Sequence, residues 1–209
     1  MYQKASILVI VLVSAVVFPS IVSAATISTD AVALPGFHSS TTFTAGLGLS
    51  GSLDYAVYGP GTYDGSLTFP ADKYVYCYQL FDSLGSTVNI DYFSVGLYPG
   101  VTVGNLEYDA ADTHAVAGGI NPFTEFPLSQ TVLCLFSASP ITPNSHSSVL
   151  LFTSDKAPTM ASGVASGGYT GGAVISLPTP IPEPATMLLF TLAAPAIVNK
   201  VRRMNHKPV

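Results

Sequence analysis

Two apolar segments, one near each end and both flanked by cations, set the limits within which this chain folds. Of its seven Lys and Arg residues, five lie beside those segments: Lys4 at the first, and Lys200, Arg202, Arg203 and Lys207 at the second. The region between keeps only Lys73 and Lys156, with no arginine. Lys and Arg retard transfer across a bilayer, whereas Asp and Glu contribute little to orientation. A cation-poor middle with cationic ends is therefore what a translocated domain should look like. The positive mean hydropathy is due mostly to the two ends and does not indicate many membrane spans. The middle is anionic and has no basic stripe to neutralise phosphates, which argues against nucleic acid as a partner.

At the N-terminus, Lys4 precedes an apolar run over 7–18, Pro19 breaks it, and Val22-Ser23-Ala24 follows. Charged start, apolar centre and small residues make a secretory signal peptide over 1–24, read by the general secretion machinery. Cleavage is expected after Ala24, with Ala25 the next choice. The run is short for an uncleaved anchor, since a span takes about 20 residues.

At the other end, Pro182-Glu183-Pro184 leads into an apolar run over 185–198, and then into Lys200, Arg202 and Arg203. The prolines fix φ and hold the chain extended, so the run starts afresh rather than continuing an earlier helix. Pro184 suits the first turn of the helix it opens, where a missing N–H costs nothing. A single transmembrane helix with a basic cytoplasmic tail over 185–209 is expected, preceded by a Pro-rich linker over 178–184. The order of triplet, small pair Ala185-Thr186, apolar helix and basic end resembles the PEP-CTERM sorting signal of exopolysaccharide-producing Gram-negative bacteria. That resemblance covers about the last thirty residues. It implies recognition of the triplet by an exosortase, a membrane-embedded cysteine protease that removes the tail. It also implies transient anchoring in the membrane, then residence at the cell surface or in an extracellular matrix. An uncleaved stop-transfer anchor is the alternative.

The region 25–177, about 150 residues, is the size of one domain with its own core. Its runs are those of strands: β-branched and aromatic over 73–81, with further candidates at 41–49, 52–58, 86–97, 131–137, 149–153 and 173–177. Breaks such as Gly59-Pro60-Gly61, Pro99-Gly100 and Gly118-Gly119 separate them. An all-β fold follows, an antiparallel β-sandwich with a jelly roll as the alternative. Parts of this region, notably 53–61, 74–81 and 148–154, also resemble exported PEP-CTERM proteins of planctomycete type, which implies an extracytoplasmic β-domain without assigned enzymatic activity.

Cys77 and Cys134 each sit mid-run, Cys77 on a face with Val75, and Cys134 with Val132 and Phe136. Both are expected to point into the core. Either they form a cross-sheet disulfide, which would stabilise the fold by about 4 kcal/mol, or they are two separate buried thiols. Tyr74, Tyr76 and Tyr78 alternate and so share one face of a strand. Exposed, such a row could stack on sugar rings of an exopolysaccharide; buried, it is core. The densest polar cluster runs from Glu107 to His114 and reads as a solvated acidic loop rather than a calcium site, since it lacks an EF-hand's spacing and turn glycine. No nucleophile elbow, zinc-binding helix, paired-cysteine motif or phosphate loop is present. Neither a catalytic residue nor a metal or cofactor is assigned from sequence. A non-catalytic surface or matrix protein is the leading expectation, and a carbohydrate-binding module the alternative.

Overall fold

Valine, tyrosine and phenylalanine crowd the run around Cys77, and this stretch becomes the middle strand of a sheet, as such residues favour. The computed structural model describes residues 26–168 and 171–182. Ten strands form in chain order: β1 (His38–Thr44), β2 (Ser50–Tyr58), β3 (Tyr74–Asp82), β4 (Tyr92–Gly96), β5 (Gly104–Asp109), β6 (Thr124–Leu128), β7 (Thr131–Leu135), β8 (Val149–Ser154), β9 (Pro158–Ser166) and β10 (Gly172–Pro180). They make two five-stranded sheets, ordered β1-β2-β3-β8-β5 and β10-β9-β4-β7-β6. Every strand pair is antiparallel. Short 3-10 turns at Ile27–Thr29 and Gly46–Gly48 are the helical elements among the described residues. No helix among those residues is long and apolar enough to cross a membrane.

The inner faces of the two sheets enclose one core. From the first sheet it takes Leu53, Tyr55, Val57, Tyr76, Tyr78 and Phe152; from the second, Phe93, Val95, Val132, Cys134 and Ile175. Tyr78 crosses this core: its ring packs on Phe93 and Phe152, and its hydroxyl donates to the carbonyl of Pro178 in β10 at 2.5 Å. Tyr76 stacks on Phe152 with ring centroids 5.0 Å apart and donates to the Lys156 carbonyl. Both phenols thus bury a large apolar body while their polar tips stay bonded. The row of tyrosines is core and not an exposed platform: Tyr76 and Tyr78 are buried and Tyr74 packs against the same cluster.

The first sheet is covered on its outer face too. Ala56, Tyr58, Val75, Cys77, Val149 and Leu151 point away from the second sheet into a separate cluster. Three connecting segments close it: 26–37 contributes Ile27 and Ala33, 59–73 contributes Tyr63, Leu67 and Phe69, and the connection after β5 contributes Ala115. Burial on both sides explains why β2, β3 and β8 read as continuous apolar runs instead of alternating ones.

Several strands differ from the sequence reading. The run 86–97 yields only β4, because Ser86 Oγ bonds the Gly48 and Val88 carbonyls and holds the chain in a turn. β5, β6 and β9 carry weak strand signals. In β9 the small residues answer a packing demand: a Cβ on Gly163 would stand 2.4 Å from the Leu177 side chain and 2.6 Å from the Ser94 carbonyl oxygen. At the C-terminal side, β10 extends to Pro180 and pairs Pro180 with Pro158, so the strand runs three residues past 177. The secretory segment, Ala24, Ala25, Glu183, Pro184, the apolar helix, Lys200, Arg202 and Arg203 lie outside the described residues; Pro182 lies within them.

Between the edge strands of the two sheets, Glu125 of β6 lines a void of about 10 Å³ beside Phe93, Leu106, Val132, Cys134 and Phe152. Its Oε1 is buried without a hydrogen-bond partner. Burial, followed by the repulsion of Glu107, pushes this carboxyl up from 4.5 to about 7. The folded state therefore holds the proton to higher pH than the unfolded chain does. The stability this confers is complete below about pH 4.5 and is lost as pH rises through about 7. In chemical denaturation, Glu125→Gln should be more stable than the native protein at pH 8 by about 2 kcal/mol, after discounting for partial exposure, and equal to it at pH 4. Tyr78→Phe should cost about 1–3 kcal/mol at either pH, because the buried Pro178 carbonyl loses its donor.

Candidate functional site

The three segments that cover the first sheet carry their polar groups to one place at its rim. The first is tied down by backbone bonds: Leu34 N–H donates to the Val57 carbonyl at 2.8 Å, and Val57 N–H to the Phe37 carbonyl at 3.0 Å. On the far side, the fully buried Gln79 side chain exchanges two hydrogen bonds with the backbone of Val116. The first covering segment is thus held much as an added strand would be, and the third by a side chain of the sheet.

Where they converge, carboxylates accept hydrogen bonds from phenols and hydroxyls. Tyr58 donates to Asp30 Oδ2 at 2.6 Å, and Val32 N–H to Asp30 Oδ1 at 2.9 Å. Tyr63 donates to Asp112 Oδ2 at 2.8 Å, Ser28 to Asp54 Oδ2 at 3.0 Å, and Ser66 to Asp109. The rings of Tyr58 and Tyr63 meet edge to face at 5.1 Å. Burial raises both phenols well above their ordinary range; the Cys77 thiol and the accepting carboxylates add to the effect. They remain protonated donors, which is the state the carboxylates require.

His114 occupies the centre of the rim. Its Nδ1 hydrogen-bonds Asp112 Oδ1 at 3.2 Å, and its own N–H donates to the same oxygen at 2.8 Å. This fixes the ring and turns Nε2 toward Asp64 Oδ1 at 3.3 Å and Asp30 Oδ2 at 3.9 Å. Asp30, Asp64 and His114 come one from each of three segments that are distant in sequence, and their donor atoms all lie within 4.8 Å of one another. The stretch from Glu107 to His114 is accordingly not a solvated loop. Its first part lies in β5, Asp109 and Asp112 are buried, and only their neighbours face water. Sequence spacing singled out Asp112 and His114 but not Asp30, Asp64, Tyr58 or Tyr63, whose approach depends on how the covering segments fold back.

The cysteines are two free, buried thiols. The side-chain alternation that placed Cys77 with Val75 is right, but that face is the outer one: Cys77 lies under the covering segments, whereas Cys134 lies between the sheets. One thickness of sheet separates them, and the disulfide alternative is corrected to separate thiols. Burial, then the charges of Asp112, Asp30 and Asp109, pushes the Cys77 thiol well above its usual range. Burial, then Glu125, does the same to Cys134. Neither is a ready nucleophile, because the thiolate is the reactive form.

No protein-family model, curated protein or solved structure matches this chain.

Burial of both thiols has a direct readout. A membrane-permeant maleimide should label neither cysteine of the folded protein within minutes and should label both once denaturant is added. A protein that is unlabelled after denaturation without reductant would instead hold a disulfide.

Proposed function

We propose that this chain is an exported, non-catalytic protein of the cell surface or extracellular matrix, processed at its C-terminus by an exosortase. The observation that carries the reading is the order Pro182-Glu183-Pro184, apolar run, Lys200, Arg202 and Arg203 on a chain with a secretory start. The fold supports it in two ways. The described domain contains two Lys and no Arg, so little opposes its transfer across a bilayer. In addition, β10 stays paired to Pro180, and Ile181 N–H donates to the Ala157 carbonyl at 3.1 Å. The triplet therefore begins directly after the folded body, with almost no slack between them. A processing enzyme in the membrane would act with the domain standing at the bilayer surface.

In this reading the secretion machinery delivers the chain, the C-terminal helix holds it in the membrane, and cleavage passes it to the surface or to the exopolysaccharide. Burial of Tyr76 and Tyr78 removes the stacking platform that favoured a carbohydrate-binding module.

Substitution of Glu183 tests the tail. In the native host, Glu183→Gln should leave a full-length, membrane-retained form to accumulate, several times more abundant than in the unaltered strain. Mass spectrometry of the exported protein checks this, and an unchanged mass and yield would reject recognition of the triplet.

A further inference from the structure

The geometry points to a divalent-metal site formed by Asp30, Asp64 and His114, suited to Zn²⁺ and acting as a clamp on the three segments that cover the first sheet. Its first support is distance. In a tetrahedral zinc site with bonds of about 2.0–2.1 Å, neighbouring donor atoms stand about 3.3–3.4 Å apart. His114 Nε2 stands 3.3 Å from Asp64 Oδ1 and 3.9 Å from Asp30 Oδ2. A charge-assisted N–H···O bond would close to about 2.7–2.9 Å. The ring nitrogen thus stands from Asp64 at the spacing of ligands that share a zinc ion, and from Asp30 about half an ångström beyond it.

The second support is uncompensated charge. The Asp30 and Asp112 side chains are 7% and 1% exposed, and Asp64 adds a third carboxylate at the mouth. Buried charges in proteins are paired or bind metals. Among the described residues the Lys and Arg side chains are Lys73 and Lys156, and these pair with their neighbours Asp72 and Asp155, both at 3.4 Å. A fixed cation is therefore lacking where the carboxylates converge, and His114 is the basic side chain that faces them.

The surrounding groups favour a metal with mixed nitrogen and oxygen ligands over calcium. Asp112 holds Nδ1 and so presents Nε2 as the ligand, the carboxylate–histidine arrangement that tunes zinc sites. Asp30 is oriented by Val32 N–H on Oδ1 and by the Tyr58 hydroxyl on Oδ2, the oxygen that faces His114. With three protein donors, one water at the exposed Asp64 side completes the tetrahedron, so the clamp is more open than a structural zinc site with four protein ligands. Because each ligand comes from a different covering segment, bound metal joins all three, and its binding energy becomes stability of the outer face.

The test uses the full chain, purified in detergent, freed of metal by chelation and titrated calorimetrically with Zn²⁺ alone. Asp64 is 60% exposed and its carboxylate has no role in the cores, so Asp64→Asn should keep the native circular dichroism. The expected result is one Zn²⁺ bound per chain, a higher melting temperature on saturation, and at least about a tenfold loss of affinity in both Asp64→Asn and His114→Gln. Asp72→Asn, at an exposed site elsewhere, should bind as the native protein does. Absence of saturable uptake, uptake that both site variants leave intact, or tighter binding of Ca²⁺ than of Zn²⁺ would overturn the assignment.

Discussion

The rest of the structure depends on sealing the first sheet on both faces. Its middle strand places Tyr76, Tyr78 and Leu80 on one side and Val75 and Cys77 on the other, all of them buried. A second sheet covers the former set, but neither sheet nor α-helix covers the latter, only a short 3-10 turn at Ile27–Thr29 and irregular chain. Irregular chain must do so, and irregular chain brings backbone N–H and C=O groups that cannot be left unbonded in a core. The Gln79 side chain on the Val116 backbone, the Leu34–Val57 and Val57–Phe37 pairs, and the Asp30 and Asp112 carboxylates that accept from Val32 and His114 N–H meet that need. The polar rim is thus a consequence of the apolar patch it surrounds.

Scarcity of cations decides how that rim is built. With Lys73 and Lys156 as the Lys and Arg side chains of the described domain, both paired with neighbouring aspartates, the rim has no guanidinium or ammonium group to offset its carboxylates. Here Asp30, Asp54, Asp109 and Asp112 are stabilised by hydroxyl donors from Tyr58, Ser28, Ser66 and Tyr63. Hydrogen bonds to a charged acceptor are each worth about 1.5–3 kcal/mol, enough to hold a loop but not to cancel a cluster of like charges. The same scarcity leaves this convergence of carboxylates short of positive charge.

How much of this was legible in the sequence depended on whether local signals matched the tertiary demand. β2, β3 and β8 were readable because their β-branched and aromatic residues fit a sheet buried on both sides. β9 was not, because Gly163 and its small neighbours exist to let β4 and β10 approach, which no local pattern reveals. Alternation assigned Cys77 to the right face of its strand but could not say that this face had a core of its own, so the pairing with Cys134 was left open. The tyrosine row posed the same question and had the same answer. Of the rim, Asp112 and His114 are close in sequence and were noticed together, while Asp30 and Asp64 reach His114 only through two independent chain reversals.

The claim underlying all of this is that the covering segments are structural parts of the domain and not loose loops. Native-state hydrogen exchange tests it at the amides of Leu34 and Val116, which bond to β2 and to Gln79. If the outer face is sealed, these amides should exchange at least about a hundredfold more slowly than the exposed turn around Leu84, approaching the protection of β3 itself. Exchange as fast as at Leu84 would show that the first sheet is covered on one face only.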